Sequence, residues 1–309
     1  MAQTFADWLT EANGLPENRF LDEMQRLLPW SHIQTMLETE VPNPGGGRPP
    51  TEFLLLFKMT LIQWWYGLGD LDTEFRCADS FSFRRFLGLG VTDTVPDGTT
   101  LALFRQKMHS VGLQEKLNTL VCHLLGQKNL LVKQGTIVDA TFVKAAKPKH
   151  DPDSKTGKKG RGYSVSVAMD NRTKIVRNIK VTDASVHDSQ SLQAVLPEFV
   201  GSKVWVDLGY YGLSCLNTIL ATGAIRRMGY KKAKGKPLQP WQKGLNRLLA
   251  RTRARVEHIF AGWKTRLKLN NSRYETVDKV SSYMNGVALA GNLARIGFLF
   301  RQKQQVVWG

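Results

Sequence analysis

The sequence predicts an α/β protein in which a mixed sheet flanked by helices is preceded by an all-α N-terminal region. Helical patterns fill residues 1–128, where strand patterns are missing. From Gly135, three short apolar or alternating runs follow one another, and helices then alternate with strands to the end of the chain. We therefore predict two domains, a helical region over 1–128 and a sheet domain over 129–309.

The N-terminal region should contain helices separated by break signals. An amphipathic stretch over residues 5–37 is interrupted near Pro29, and the segment PNPGGGRPP at 42–50 indicates a linker. Thr51 is a candidate cap for the next helix, and Gly98 with the two threonines after it signals another helix start. The helices predicted after the linker cover 51–66, 70–78, 80–87, 98–108 and 113–125.

The second half has the texture of a sheet with helices on its faces. Short runs at 136–142, 163–169 and 174–182 predict three strands that are antiparallel neighbours. After these strands the predicted order is helix 189–195, strand 203–206, helix 211–222, strand 224–228, a long helix around Glu257 and a last helix over 276–301.

The charge of the chain points to a polyanionic partner. Forty-three Lys and Arg against 26 Asp and Glu give a net charge of +17, which favours nucleic acid first and an anionic membrane second. The longest apolar passage, 53–68, is too short and mixed to span a bilayer. The first 13 residues lack a signal-peptide pattern, so we expect a cytoplasmic protein. Three widely spaced cysteines without a CxxC pattern should be buried small hydrophobes.

One carboxylate stands alone in the most basic part of the chain. Between Arg226 and Lys268 there are fourteen Lys and Arg, and Glu257 is the only acid. Helical spacing places Arg253 and Lys264 on nearly the same face as Glu257. An ordinary surface ion pair at i, i+4 is one interpretation. The apolar stripe predicted for this helix consists of Leu245, Leu248, Thr252, Val256, Ile259, Trp263 and Leu267.

Two aspartates follow apolar strands. Asp139 comes after Thr-Ile-Val and Asp207 after Val-Trp-Val, at the strand ends where ligand sites of such sheets gather. Each aspartate alone is equally well explained as an acceptor of backbone N–H groups. Together with Glu257, however, they form an Asp, Asp, Glu set of the hard oxygen ligands that Mg²⁺ prefers. A pair of such ions can activate the attacking oxygen and stabilise the leaving oxygen in phosphodiester chemistry.

These motifs resemble the DDE transposases of bacterial insertion sequences, most closely the group named after insertion sequence five. The resemblance covers nearly the whole chain. It rests on GRPP at 47–50, FRRFLGL at 83–89, PDGTTLALFR at 96–105, VDATFV at 138–143, DASVHDS at 183–189, WVDLGYYG at 205–212 and RARVEHIFAGWK at 253–264. The last segment carries the family's Tyr-x2-Arg-x3-Glu-x6-Lys signature, with Ala250 at the tyrosine position.

The resemblance implies a ribonuclease-H-like sheet domain and a transposase activity. Asp139, Asp207 and Glu257 would be the catalytic metal ligands, with two Mg²⁺ ions per site and Mn²⁺ as a substitute. The implied enzyme binds the inverted-repeat ends of its element as a homodimer, cleaves the DNA and transfers the 3′ ends to target DNA. We expect it in the bacterial cytoplasm, associated with the nucleoid and not with a membrane.

Further basic residues are candidates for DNA binding. Arg253 and Lys264 either contact the phosphates that flank the scissile bond or neutralise Glu257. The same helix carries three arginines suited to tracking the DNA backbone, namely Arg247, Arg251 and Arg255. The loop 144–161 has seven basic residues, including Lys158, Lys159 and Arg161, and is either a solvated hairpin or a DNA-contacting loop that orders on binding.

Other candidate residues carry weaker signals. His187 and Asp188 precede a helix. Either one of Asp188 and Ser189 is a simple helix cap, or His187 and Asp188 support the residues that bind the metal without binding it themselves. His258 should be packed. DNA-end recognition or dimerisation is assigned to the helical region, whose exposed basic cluster is expected to comprise Arg76, Arg84, Arg85, Arg105 and Lys107.

Three other functions compete with the transposase. A metal-dependent nuclease would use the same carboxylates without joining 3′ ends to target DNA. A non-catalytic DNA-binding protein derived from a transposase would be favoured if one carboxylate were missing, and all three are present. An anionic-membrane binder would need a wide apolar face beside its basic residues, which the sequence lacks.

Overall fold

The computed structural model describes residues 18–41, 52–128, 130, 135–197, 200–232, 236–266 and 269–307. Side chains are described for the same residues except 266 and 302–307. The chain divides into two compact units. The first consists of Met1–Leu117 with Leu293–Gly309, and the second of Asn118–Asn292.

All regular secondary structure in the described part of the first unit is helical. They are α1 (Arg19–Leu27), α2 (Trp30–Glu40), α3 (Phe53–Tyr66), α4 (Asp70–Asp79), α5 (Phe81–Leu87), α6 (Gly98–Ser110), the start of α7 (Leu113–Gln127) and the end of α11 (Val277–Val307). The predicted helical N-terminal region is therefore confirmed, including the break at Pro29. The predicted linker 42–50 and the candidate cap Thr51 lie outside the described residues.

Local sequence signals set the ends of several of these helices. The side chains of Ser80 and Asp97 accept hydrogen bonds from the N–H groups of Phe83 and Thr100, which caps α5 and α6. Gly67 and Gly88 end α3 and α5 in the left-handed conformation, with φ of 62° and 79°, that glycine adopts without steric cost.

The core of the first unit surrounds α3. This helix buries nine consecutive residues, from Leu56 to Trp64. Lys58 lies among them, and its Nζ is 4.9 Å from the ring centroid of Trp30 and 5.5 Å from that of Phe86. Burial lowers the pKa of Lys58, and the nearby carboxylate of Glu52 partly offsets this effect. The two aromatic faces compensate the buried ammonium in the way cation–π contacts do.

The predicted exposed basic cluster is wrong for its central members. Arg84 is buried and donates hydrogen bonds to the carbonyl oxygens of the loop after α5, at Gly90, Val91 and Asp93. Arg105 is largely buried and pairs with Asp70 at 2.9 Å. Folding uses these arginines to satisfy loop and helix-end groups, a role that their spacing in the sequence does not reveal.

The second unit is built on a six-stranded sheet. Its strands are β1 (Thr136–Lys144), β2 (Lys155–Gly157), β3 (Gly160–Asp170), β4 (Val176–Asp183), β5 (Lys203–Trp205) and β6 (Ile225–Arg227). The order is β2-β3-β1-β5-β6, with β4 also paired to β3. The pairs β1–β3 and β3–β4 are antiparallel, as predicted, whereas β1–β5 and β5–β6 are parallel. Strand β2 forms a hairpin with β3, which is one of the two interpretations that the sequence offered for residues 144–161.

Helices cover both faces of this sheet. One face packs against α10 (Pro240–Arg266) and the first part of α11, with Ile137, Val256 and Met284 in one buried cluster. The other face packs against α8 (Asp188–Val195) and α9 (Leu213–Ala221), with Val138 and Leu192 in a second cluster. A 3₁₀ turn (Leu208–Tyr210) precedes α9, which begins two residues later than predicted. The predicted mixed sheet with helices on its faces is confirmed.

The apolar stripe of α10 differs from its prediction. Val256, Phe260 and Trp263 are buried, and Leu249 is the buried residue in the N-terminal half of the helix. Leu248, which was predicted to be buried, is 62% exposed. Only the C-terminal half of α10 packs on the sheet, so the periodic pattern continues beyond the region that has a partner.

Two further expectations concern membranes and cysteines. Over the described residues, the helices include none with the length and apolar character needed to cross a bilayer. Cys77 and Cys215 are buried as predicted, whereas Cys122 is only half-buried. All three are free thiols.

Candidate active site

Strand register places Asp139 beside Asp207. In the parallel pair β1–β5, Ile137 is aligned with Trp205. Each aspartate lies two residues beyond these partners, and residues two apart point to the same face of a sheet. That face is the one covered by α10, because Ile137 and Trp205 belong to the buried cluster that includes Val256. The prediction that the two carboxylates are neighbours agrees with this register, but the prediction of a strand end is wrong for Asp139, which lies inside β1, while Asp207 lies two residues beyond β5.

Arg253 of α10 bridges the two aspartates. Its Nη1 donates to Asp207 Oδ1 at 2.8 Å, and its Nη2 is 3.3 Å from Asp139 Oδ2. The other oxygen of Asp139 accepts the N–H of Ala140 at 2.9 Å, the backbone contact that the simpler interpretation of this residue anticipated. The side chains of Arg253 and Asp139 are 22% and 16% exposed, against 46% for Asp207.

The charges at this junction oppose one another. Burial raises the pKa of Asp139, the guanidinium of Arg253 and the N–H of Ala140 lower it, and the charge of Asp207 raises it again. Two carboxylates share one cation, so the group keeps excess negative charge. The Nε of Arg253 is buried and makes no hydrogen bond with the residues that the structure describes.

Glu257 lies one helical turn after Arg253 and is exposed. Among the described residues, no ion pair joins Glu257 to Arg253 or Lys264, so the interpretation as an ordinary i, i+4 pair is wrong. Lys264 is half-buried and His258 is exposed, which also contradicts the packed histidine that the sequence suggested. Within the described part of the chain, the third carboxylate therefore makes no ion pair, although it lies on the helix that carries the bridging arginine.

The donor set can be compared with the needs of a metal ion. In the parts of the chain that are described, no three Asp, Glu, His or Cys side chains are close enough to hold a metal as they stand. Asp139 and Asp207 nevertheless converge on one positive group, and Glu257 follows one turn later. All three offer hard carboxylate oxygens, which fit Mg²⁺ or Mn²⁺ and not a soft thiophilic ion.

A cleft of about 460 Å³ lies at the start of α8, and neither Asp139 nor Asp207 is among its lining residues. Ala140 and Gly209, which lie close in sequence to the two aspartates, line it together with the tip of the β2–β3 hairpin and the start of α8. The predicted residues that it brings together are Lys158, Lys159, His187 and Asp188. The hairpin lysines and the His-Asp pair therefore share a cleft, which their separation in the sequence did not indicate.

The His-Asp pair has local roles that differ from the predicted ones. His187, and not Asp188 or Ser189, caps α8, because its side chain accepts the N–H of Ser189. Asp188 Oδ1 accepts a hydrogen bond from Ser164 Oγ on β3 at 3.0 Å. Tyr210 is buried nearby, and its pKa is raised by burial first and then by the charges of Asp188 and Asp139.

The predicted DNA-binding arginines fall into two groups. Arg247 and Arg251 are exposed on α10. Arg255 instead donates to the carbonyl and side-chain oxygens of Asn171 at 2.8 and 2.9 Å. Arg161 donates to the carbonyl oxygen of Ser154 at 2.9 Å, which ties the hairpin to the loop before it. The latter two arginines therefore have structural partners that sequence spacing could not indicate.

The loop before β2 is anchored by two carboxylates. Asp151 is buried, accepts the hydroxyl of Tyr163 and lies 3.3 Å from the backbone N of Thr276. Asp153 accepts the N–H of Val277 at 2.9 Å, at the start of α11. The hairpin of the first interpretation is therefore present, and its base is fixed without DNA. Sequence analysis missed the anchors to the start of α11 because Thr276 and Val277 are more than a hundred residues from these carboxylates.

Comparison with known proteins gives two family matches. Residues 131–293 match the family described as Transposase DDE domain, and residues 10–107 match that described as Transposase domain (DUF772). Among solved structures, the chain is similar to a piggyBac transposase synaptic complex with hairpin DNA, determined by cryo-EM. That similarity has a TM-score of 0.42 and 10% identity, and covers 91% of this chain and 72% of the other.

Proposed function

The chain belongs to the Transposase DDE domain family, and on this premise we propose that it cuts and joins DNA at the ends of an insertion sequence. The proposed enzyme binds the terminal inverted repeats, hydrolyses the phosphodiester bond there and transfers the freed 3′ ends to target DNA. The observation that carries this proposal is the convergence of Asp139 and Asp207 on Arg253, with Glu257 one turn further along the same helix.

We assign the metal-binding role to Asp139, Asp207 and Glu257. Two Mg²⁺ ions, or Mn²⁺ in their place, would supply Lewis-acid chemistry there, activating the attacking oxygen and stabilising the leaving one. Asp139 lies in β1 and Asp207 directly before the 3₁₀ turn that follows β5, whereas Glu257 comes from a helix packed on the same sheet face. No covalent protein intermediate is needed, and the attacking groups are a water and then a 3′-hydroxyl.

Arg253 is proposed to serve two partners in turn. In the structure it balances the charge of the aspartates. When a DNA phosphate enters, its planar guanidinium has the geometry to bind that phosphate through paired N–H donors. Lys264 would act as a point charge on a flanking phosphate. Arg247 and Arg251, which are exposed on the same helix, would follow the DNA backbone.

Other parts of the chain would hold the substrate. The exposed Lys158 and Lys159 line the cleft at the start of α8 and can contact DNA phosphates there. The helical N-terminal region is proposed to recognise the DNA ends or to form the homodimer, because cutting and joining paired ends requires two sites. We further propose that the sheet is ribonuclease-H-like and that the chain belongs to the insertion sequence five group. The protein is proposed to act at the bacterial nucleoid.

The deciding experiment follows the fate of the DNA ends. Purified protein is incubated with DNA carrying the ends of its element, a target plasmid and Mg²⁺, and the cut and joined products are mapped at nucleotide resolution. A transposase produces cuts at the repeat ends and 3′ ends joined to the plasmid. Cuts without joining would indicate the nuclease, and binding without cuts would indicate the DNA-binding derivative.

A matched variant controls for surface charge. Glu275 pairs with Lys147 through a contact of 3.5 Å, outside the carboxylate group described above. Glu275→Gln removes one negative charge from the same unit and is expected to give the unchanged product pattern. If Glu275→Gln lost as much cleavage activity as a neutral substitution of Asp139, Asp207 or Glu257, a charge change alone would disable the protein.

A further inference from the structure

Two aromatic rings are exposed beside the N-terminal half of α10. Trp241, in its first turn, is 60% exposed, and Tyr230, in the preceding loop, is 40% exposed. Their ring centroids are 5.1 Å apart at an interplanar angle of 77°, an edge-to-face arrangement. We call this pair the aromatic corner. Large aromatic side chains are usually buried, so a rigid exposed pair suggests a partner that binds there.

The aromatic corner is held in place by hydrogen bonds. The side chain of Asn246 on α10 accepts the N–H of Tyr230 at 2.8 Å and donates to its carbonyl oxygen at 3.1 Å. The backbone before Tyr230 comes so close that a Cβ on Gly229 would lie 2.8 Å from Asn246 Oδ1. The backbone of Tyr230 is thus fixed to the helix, and a partner need not position this residue on binding.

The surroundings of the corner are exclusively basic in sequence. Residues 226–256 contain eleven Lys and Arg and no acidic residue. Lys231, Lys232, Lys243 and Arg247 are all exposed and lie within six residues of one of the two rings in the sequence. A second copy of this surface would bring like charges together, so charge complementarity favours a polyanion over self-association.

We propose that the aromatic corner is a stacking site for an unpaired DNA base. Proteins that bind single strands combine aromatic platforms with cationic side chains that contact the backbone, and exposed aromatic and basic residues are both present in this segment. The proposal rests on the proposed function, because it assigns the site to DNA handled by the same helix. Trp241 precedes Arg253 by twelve residues, about 18 Å along α10. That distance corresponds to about five nucleotides of duplex, at 3.4 Å each.

The test measures binding without cleavage. A fluorescent single-stranded oligonucleotide of mixed sequence is titrated with the full chain in EDTA, and anisotropy gives the dissociation constant. Trp241→Ala is expected to weaken binding about tenfold, since one stacked base contributes on the order of 1–3 kcal/mol. Trp241→Phe, which keeps an aromatic face, is expected to stay within about threefold of the wild type by the same reasoning.

Leu248→Ala is the matched control. Leu248 is 62% exposed and follows Trp241 by seven residues, on the same face of the helix, but offers no π surface. Its removal should leave the dissociation constant unchanged. With an oligonucleotide of abasic residues, the difference between wild type and Trp241→Ala should disappear, because the phosphates remain and the bases do not.

Two results would overturn the proposal. One is equal affinity of wild type and Trp241→Ala for the normal strand, and the other is a loss of affinity that persists on the abasic strand. Equal affinity together with a change in the sedimentation of Trp241→Ala would make the corner a protein-docking surface. Because EDTA prevents cleavage, this binding test can fail while metal-dependent cutting and joining still stand.

Discussion

Arg253 lies one helical turn before Glu257, yet its guanidinium binds Asp139 in β1 and Asp207 just beyond β5, and leaves Glu257 without an ion pair among the described residues. The guanidinium of Arg253 therefore pairs with carboxylates from the sheet side and not with the carboxylate of its own helix. This arrangement explains how two carboxylates stay side by side in a partly buried place, since they would otherwise repel each other. It also makes Arg253 a competitor of any cation that binds them.

Replacing Arg253 should strengthen metal binding and weaken catalysis. In Arg253→Gln the aspartates lose their positive partner, so we expect about tenfold tighter Mn²⁺ binding at pH 8, measured by calorimetry. Because Arg253 lowers the pKa of Asp139, that pKa should rise further in the variant. Metal binding is then lost at a higher pH during acidification than in the wild type. Unchanged Mn²⁺ affinity would mean that the arginine does not compete.

Lys264→Ala should reduce DNA affinity without affecting the metal. One lost phosphate contact is expected to lower the slope of log affinity against log salt by about one. Mn²⁺ binding should stay as in the wild type. A salt slope that does not change would remove Lys264 from the DNA surface. Arg255→Ala is a useful comparison, because Arg255 is already bound to Asn171.

Lys58 should make the stability of the first unit depend on pH. Its pKa is lowered in the folded state, so its contribution to stability is complete above the ordinary lysine pKa and is lost as pH falls through the folded value. Lys58→Met removes the free-energy cost of burying the charged ammonium. The variant is expected to be the more stable protein near neutral pH, with a difference that narrows as pH rises towards about 10.4. Urea unfolding of both proteins across this range measures it, and a constant difference would contradict it.

Asp151→Ala should destabilise the second unit. The change leaves the hydroxyl of Tyr163 and the backbone N–H of Thr276 without this acceptor in a buried place. Unsatisfied buried groups of this kind cost about 1–3 kcal/mol each, so the free energy of unfolding should fall by about 2–4 kcal/mol. Chemical denaturation measures the loss. A change below about 0.5 kcal/mol, the usual size for a surface substitution, would show that the loop is not anchored there.

Much of the fold could be predicted because its signals are local. Alternating runs predicted the antiparallel strands, and capping residues and glycines marked the helix ends. The apolar runs before Asp139 and Asp207 predicted two neighbouring carboxylates, and the parallel register of β1 and β5 places them at the same level, although β1 continues for five residues beyond Asp139.

The features that sequence analysis missed depend on distant contacts. The spacing along α10 predicted an ion pair between Arg253 and Glu257. In the structure, packing of the helix on the sheet instead brings Arg253 to two aspartates that are more than forty residues away in the sequence. The same packing covers only half of α10, which leaves Leu248 exposed despite its periodic position. The buried role of Arg84 likewise depends on the path of the loop that follows it.

The central claim is that Asp139, Asp207 and Glu257 act together at one metal-dependent site. The most direct measurement is single-turnover cleavage of DNA carrying the element's ends, with Asp139→Asn, Asp207→Asn and Glu257→Gln each compared with the wild type at saturating protein. We expect every variant to bind the ends within about threefold of the wild type and to cleave at least about a thousandfold more slowly. Wild-type cleavage by any one of the three variants would contradict the account.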